Sequence, residues 1–229
     1  MNLSAEVISK ATGSTLQNAE KFRPYLNKYM AKYGINTPLR AMAFLSQVGH
    51  ESASLSTTKE FASGSAYEGR SDLGNIYQGD GVKFKGRGLI QITGRANYQN
   101  VESKLGWDVL QNPSILEDPQ YATEVSAWWW ANRVRDGKNL NQWSDMLSPT
   151  DSIYSGNNAY VFEQITRAIN GGVNGLNDRS QKFEQAQSEY DKIKKMVFGW
   201  FTSWWGLSII GIMVVGGSYL IIRNIKKGK

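Results

Sequence analysis

Cysteine is absent from all 229 residues, which excludes disulfides, thiolate metal sites and a cysteine nucleophile. Histidine occurs once, as His50, so a His-rich zinc site has nothing to build from, and neither a metal nor a cofactor is expected. Acidic residues stop at Asp191, while Arg223, Lys226, Lys227 and Lys229 lie beyond it. Removing those four from the 26 basic residues leaves 22 against 20 acidic ones, so residues 1–195 are nearly neutral although the net charge is +6. A nucleic-acid-binding face concentrates basic residues on one surface. The body shows no such concentration, and no nucleic-acid partner is expected.

Charge is missing altogether from 196–222, a run of 27 residues. About 20 such residues span a bilayer as a helix. Trp200, Trp204 and Trp205 cluster at one end and Tyr219 lies near the other, as in an aromatic belt. Lys192, Lys194 and Lys195 flank one side and the basic tail the other, which leaves the orientation open. The expected organisation is a body over 1–195, a C-terminal transmembrane helix over 196–222 with the lipid bilayer as its partner, and a basic tail over 223–229. The first ten residues lack a basic stretch followed by an apolar core, so no cleaved signal peptide is expected. The expected location is a membrane, either of a virion or of a bacterial host.

The body reads as mainly α-helical. Ser14 is a candidate cap for a helix ending near Gly34, kinked or split at Pro24. Thr37-Pro38 and Asp118-Pro119 each pair an N-cap with proline at the first helical position. Further helices are expected over 96–105, 160–170 and from about 177 onward. Leu89–Thr93 alternates as a short strand, with Ile90 and Ile92 facing one way and Gln91 and Thr93 the other. Residues 52–85, rich in Ser, Gly and Asp, read as a long loop beside a cleft. Trp128, Trp129 and Trp130 point at three successive helical angles, and two of them are expected in the core. His50 is expected to bond a neighbour rather than a metal, and Arg87 to tie its segment to a carboxylate.

Glu51 closes a largely apolar helical run that begins at Thr37. A carboxyl held against such a surface sheds water, which favours its neutral, proton-donating form. Glu60 follows nine residues later, about half a turn out of phase with Glu51 on any shared helix. The Ser-rich stretch between them must therefore end the helix and carry Glu60 to the opposite wall of a cleft. An acid and a water-activating base on opposite walls suit glycoside hydrolysis with inversion.

The segments Phe44-Leu-Ser-Gln-Val-Gly-His-Glu-Ser52, Tyr67-Glu-Gly-Arg-Ser-Asp-Leu-Gly-Asn75, Lys85-Gly-Arg-Gly-Leu-Ile-Gln-Ile-Thr-Gly-Arg-Ala-Asn-Tyr98 and Ile169-Asn-Gly-Gly172 occur in that order. This series resembles glycoside hydrolase family 19, the chitinase-type branch of the lysozyme-like fold, and especially its phage and bacterial endolysin members. The resemblance covers roughly residues 15 to 190 and implies a two-lobed α-helical domain with a small β element. It also implies roles for individual residues. Glu51 matches the general acid, Glu60 the general base, and Thr93 a hydroxyl residue that helps hold the attacking water. Gln91, Asn97, Tyr98, Asn170 and Arg179 match substrate-binding positions. Glu68 is the rival for the base, since loops of this kind align poorly. The expected substrate is the glycan strand of peptidoglycan. A chitinase, a lytic transglycosylase and a non-catalytic wall-binding membrane protein remain the alternatives.

Overall fold

The computed structural model describes residues 1–203 and, beyond them, the short segments 212–215 and 218–221. Its body is mainly helical: α1 (Ala5–Thr12), α2 (Leu16–Lys32), α3 (Pro38–Glu51), α4 (Asp80–Lys83), α5 (Arg95–Leu105), α6 (Pro119–Asn132), α7 (Leu140–Ser144), α8 (Gly156–Asn170), α9 (Leu176–Gln187) and α10 (Tyr190–Ser203). Three short 3-10 turns, at Ser65–Tyr67, Ser71–Leu73 and Pro113–Glu117, complete the helical set among the described residues. Two strands of two residues each, β1 (Val134–Arg135) and β2 (Lys138–Asn139), pair antiparallel between α6 and α7.

Helix α3 is the central element and presents the site. Thr37 accepts a hydrogen bond from the Arg40 amide at 3.3 Å, and Pro38 supplies the first helical position. Residues 41–49 are all buried, so this helix is enclosed on every side, as a core helix is. It packs on α1, α9, α7 and α10. Gly49 permits the closest approach: a Cβ added there would lie 2.6 Å from the Thr12 carbonyl oxygen of α1. The polar members of this helix are paired inside the core, with Ser46 Oγ donating to the Ala43 carbonyl at 2.9 Å and Gln47 Nε2 to Thr166 Oγ1 of α8 at 3.0 Å.

Several elements differ from the sequence expectations. Helix α1 was not anticipated. The cap of α2 is Thr15, which accepts from the Asn18 amide at 3.2 Å, whereas the expected cap, Ser14, has a buried hydroxyl without a partner. Helix α2 runs on through Pro24, which lies on its exposed face, where water can meet the carbonyl that proline leaves unpaired. Leu89–Thr93 is a tight turn rather than a strand. Arg87 and Ile92 exchange backbone hydrogen bonds at 3.1 and 2.7 Å, and between them Gly88 and Gln91 take left-handed φ of 80° and 57°, which a strand does not allow. The expected inward set nevertheless holds, with Ile90 and Ile92 buried and Gln91 and Thr93 partly exposed.

The C-terminal region departs furthest from expectation. The proposed boundary at 195/196 falls inside α10, whose Ile193 and Val197, one helical turn apart, are both buried in the core. Past Ser203, the described segments β3 (Ile212–Val215) and β4 (Ser218–Ile221) pair antiparallel in the register Val215↔Ser218, so the expected continuous helix over 196–222 is not formed there. The β-branched Ile212, Val214, Val215, Ile221 and the sequence Gly216-Gly217 between the strands favour such a hairpin. Among the described residues no helix is long and apolar enough to cross a membrane. The rest of the expected span (204–211, 216–217 and 222) and the basic tail lie outside the described residues.

Candidate active site

Glu51 is the last residue of α3, where the helix meets the start of α9. Two consecutive residues on each helix pair across this junction. His50 Nδ1 lies 2.7 Å from Asp178 Oδ2, and Glu51 Oε1 accepts a hydrogen bond from Arg179 Nη2. The Arg179 guanidinium is almost fully buried and is also anchored through Nη1 to Gln47 Oε1 at 2.6 Å and through Nε to the Asn174 carbonyl at 3.2 Å. The largely apolar run expected around Glu51 is thus joined by a buried cation that fixes one carboxylate oxygen. No other side-chain hydrogen bond reaches that carboxylate among the described residues, so Oε2 is left to the cleft. Asp178 is held below the usual carboxylate range. Burial alone would raise it, but hydrogen bonds from Lys182 and His50 outweigh that effect. Gly175 closes the junction, since its φ of +71° and a Cβ only 2.1 Å from the His50 ring exclude any side chain.

The chain leaves α3 through a strained turn. Ala53, Ser54 and Leu55 all take left-handed φ, at 48°, 59° and 58°. Each costs roughly 1–2 kcal/mol in a non-glycine residue. Ser52 offsets this by bonding both ways, its Oγ donating to the Val48 carbonyl at 2.5 Å and accepting from the Leu55 amide at 3.0 Å, while the Leu55 side chain is buried. This reversal sends the chain across to Glu60. The Glu60 carboxylate accepts from the Tyr67 hydroxyl at 2.9 Å and from the Gly86 amide at 2.9 Å. Burial, together with the Glu60 bond, pushes the Tyr67 hydroxyl above its usual pKa, which keeps it a donor to Glu60. Gln91 lies close by, because a Cβ added at Gly86 would meet both Gln91 Oε1 and Glu60 Oε2.

Glu68 is placed differently. Its two oxygens accept from the Gly79 and Gly81 amides at 2.6 and 2.9 Å, at the start of α4; neither it nor Glu60 is among the lining residues of the cleft, but Glu60 lies against Tyr67 and Gln91, which are. Each candidate base thus accepts two hydrogen bonds, and those of Glu68 close its own loop. That loop is latched to α5 by Arg95, which holds Asp80 through bonds of 2.8 and 2.5 Å and lowers the pKa of its buried carboxyl. The Asn75 side chain adds a bond from the Arg95 amide at 2.8 Å.

Between the two walls lies an open cleft of about 370 Å³. Glu51, Gln91, Thr93, Asn97 and Asn170 all line it, so the structure brings these expected residues together. Thr93 Oγ1 donates to the Gln91 carbonyl at 2.9 Å, and Asn97 Nδ2 to the Thr93 carbonyl at 2.7 Å, which fixes the platform. Asn170 is set by a bond from its Nδ2 to the Asn174 carbonyl and one to its Oδ1 from the Gly172 amide. Tyr98 is a correction. It is fully buried, bonded to the Lys85 carbonyl and to Arg87, and its hydroxyl is pushed up to about 12 by burial, so it supports the wall without touching a sugar. Arg179 is another: it lies behind Glu51 rather than on the cleft surface.

Tyr67 and Arg70 line the cleft and were not foreseen there, and Trp129 joins them. Trp128 and Trp130 are buried, the two members of the triplet expected in the core, and Trp129 is the one left facing the cleft. Arg87 bonds Glu117 at 2.8 Å, as its expected tie to a carboxylate. Among the described residues no cluster of three or more His, Asp or Glu side chains could hold a metal ion.

The helical scaffold thus sets the Glu51 carboxylate on a polar, open cleft, with Glu60 bonded to Tyr67 and beside Gln91, both of which line it. The family model for chitinase class I, glycoside hydrolase family 19, matches residues 33–197, and the chain belongs to that family. Among curated proteins it is 30% identical over 117 residues to a glycosyl hydrolase family 19 domain-containing protein of Haemophilus influenzae, covering 51% of this chain and 48% of that protein. It is also 30% identical over 141 residues to the acidic 27 kDa endochitinase of Solanum lycopersicum, covering 57% and 52%. The chain thus spans about half the length of these relatives. Chitinase C of Streptomyces griseus has a similar fold, with a TM-score of 0.59 at 22% identity over 83% of this chain and 92% of that one.

Proposed function

We propose that this glycoside hydrolase cleaves the β-1,4-linked glycan backbone of peptidoglycan with inversion at the anomeric carbon. The observation that carries the choice of substrate is Arg70. It is the one cation lining the cleft among the described residues, and its guanidinium is exposed. Its partner is Asp72, through bonds of 2.7 and 2.6 Å, and both side chains stand in water. Exposed pairs of this kind are weakly held in water, so a substrate carboxylate can displace Asp72. Chitin offers no charge to a guanidinium. Peptidoglycan carries carboxylates on the lactyl-peptide substituent of every second sugar.

In this reading Glu51 delivers a proton from Oε2 to the leaving glycosidic oxygen. Arg179 holds the other oxygen and fixes the carboxyl plane. Glu60, oriented by Tyr67 and Gly86, takes a proton from the water that attacks the anomeric carbon, and Thr93 helps place that water. Gln91, Asn97 and Asn170 bind hydroxyl and acetamido groups, and Trp129 presents an aromatic edge or face to a sugar ring.

Hydrolysis of purified peptidoglycan and of N-acetylglucosamine oligomers, with the anomeric form read at early times, tests this reading. Inverted hemiacetal products from peptidoglycan support it, whereas anhydro ends indicate a transglycosylase. Preference for the neutral oligomers, in line with the names of the plant relatives, indicates a chitinase. Arg70→Ala is expected to lower kcat/KM on peptidoglycan roughly tenfold, the value of one charge-assisted hydrogen bond. Turnover of the uncharged oligomers provides the comparison; an equal fall on both substrates removes Arg70 as the discriminator.

The uncharged stretch 196–222 and its basic flanks support attachment of the enzyme to a lipid surface, and the endolysin-like motif series supports a phage setting, with the virion membrane ranked ahead of the host membrane. Co-flotation of the full chain with liposomes tests the first point, and release by carbonate wash counts against it. Recovery only from host membranes, never from purified particles, counts against the second.

A further inference from the structure

A second pocket, of about 440 Å³, opens between α8, α9 and the segment that precedes α8. Ile153 and Leu176 form an apolar floor, Tyr154 one wall, and Glu163, Asn177 and Ser180 the polar positions. None of these residues takes part in the cleft described above. Ser180 is only 4% exposed, yet its hydroxyl makes no side-chain hydrogen bond within the described residues. That hydroxyl still reaches solvent through the pocket, so it is available to a ligand. Tyr154 is 49% exposed, and its ring is steadied by a bond from its hydroxyl to Glu184 Oε2 at 3.2 Å. Glu163 has one oxygen engaged by Arg167 at 2.8 Å, which leaves the other for a ligand. The Asn177 side chain is exposed and offers both a donor and an acceptor.

This lining fits one class of ligand. An anion is disfavoured by Glu163 and Glu184, and a purely apolar molecule would strand Ser180 and Asn177 without partners. An uncharged amphipathic ring that stacks one face on an aromatic and presents hydroxyl and amide groups at its edge satisfies all of them. The position agrees with that chemistry. Glu163 and Asn170 are seven residues apart on α8, which puts them on the same helix face about 10.5 Å apart, and Asn170 lines the catalytic cleft. We propose that the pocket is a second carbohydrate site that binds an N-acetylated amino sugar of the polymer entering the cleft. It retains the enzyme on an insoluble substrate between cuts. The inference requires only that the substrate is such a polymer, whichever of peptidoglycan or chitin is preferred.

The test uses the full chain with Glu51→Gln, so that ligand is not consumed, titrated with an N-acetylglucosamine tetramer by calorimetry. Two sites per chain are expected, and one when Tyr154→Ala or Asn177→Ala is added. Asn170→Ala removes the other, and Tyr154→Phe keeps both because the stacking face remains. Retention on insoluble chitin and on insoluble peptidoglycan, measured in separate arms, is expected to fall roughly tenfold with Tyr154→Ala. The arm with the larger loss identifies the source of the sugar. A single site in the parent protein, or two sites that survive both substitutions at the pocket, overturns the proposal. Because binding is read without cleavage, that failure is separate from any failure of the peptidoglycan reading.

Discussion

Glu51→Gln is expected to lower turnover of peptidoglycan by roughly 10³-fold, within the range for loss of a general acid. The substitution keeps the shape of the side chain, and the amide oxygen can still accept from Arg179. Binding of substrate therefore survives, and the loss falls on kcat rather than KM. The amide cannot donate a proton that departs with the leaving group, which is why shape alone does not rescue it. Glu60→Gln is expected to lose about 10²-fold or more on the same ground, since an amide oxygen is too weak a base to activate water. Glu68→Gln gives the contrast. It weakens two bonds to the Gly79 and Gly81 amides, so its effect falls on stability, at about 1 kcal/mol, with kcat nearly retained. Full lytic activity in Glu51→Gln protein would end the acid/base mechanism and favour a wall-binding role. Equal kcat losses at Glu60 and Glu68 would end the assignment of the base.

The elements that were readable in the sequence are those whose signals are local. Thr37-Pro38 and Asp118-Pro119 combine a capping side chain with a pre-set φ, and both mark helix starts in the structure. Gly106, at φ 73°, ends α5 where a left-handed residue is needed. Helix α1, though not anticipated, carries signals of the same kind, with Ser4 accepting from the Val7 amide at its start and Gly13 at φ 70° at its end, and it packs on α2, α3 and α9. The left-handed run Ala53–Leu55 has no such signature: it holds no glycine, and its support comes from Ser52 and a buried Leu55.

The site divides along the same line. Motif positions on the short turn and the helix ends, namely Gln91, Thr93, Asn97 and Asn170, meet around one cleft because rigid neighbours fix them within a few residues. What could not be read was which carboxylate lies against residues of the cleft wall. Glu60 and Glu68 lie in similar company along the chain, and the difference between them arises only when the loop folds back and Gly79 and Gly81 turn their amides toward Glu68. The burial of Tyr98 depends in the same way on Arg87 and the Lys85 carbonyl closing over its hydroxyl. The pairing of His50-Glu51 with Asp178-Arg179 joins residues 128 positions apart; the motif series placed Arg179 at the site, but not its bond to Glu51.

That pairing sets the second large expectation, at Arg179. The guanidinium is 1% exposed and is fixed by three acceptors: Glu51, Gln47 and the Asn174 carbonyl. Arg179→Met keeps much of the volume but strands a partly buried carboxylate and two further acceptors. Removing one partner of a buried ion pair costs about 3–5 kcal/mol. For a chain of this size each kcal/mol moves the melting midpoint by roughly 2–4 °C. Arg179→Lys is expected to rescue little, because a single ammonium cannot reach three acceptors arranged for a planar fork. The double substitution Arg179→Met with Glu51→Gln leaves no uncompensated charge, so it is expected to regain stability over Arg179→Met alone while remaining inactive. That divergence between stability and activity identifies the arginine as a positioning residue for the acid. If Arg179→Met melts within a few degrees of the parent and the double substitution gains nothing, then Glu51, at 15% side-chain exposure, is stabilised by water instead, and the buried pair does not set the acid in place.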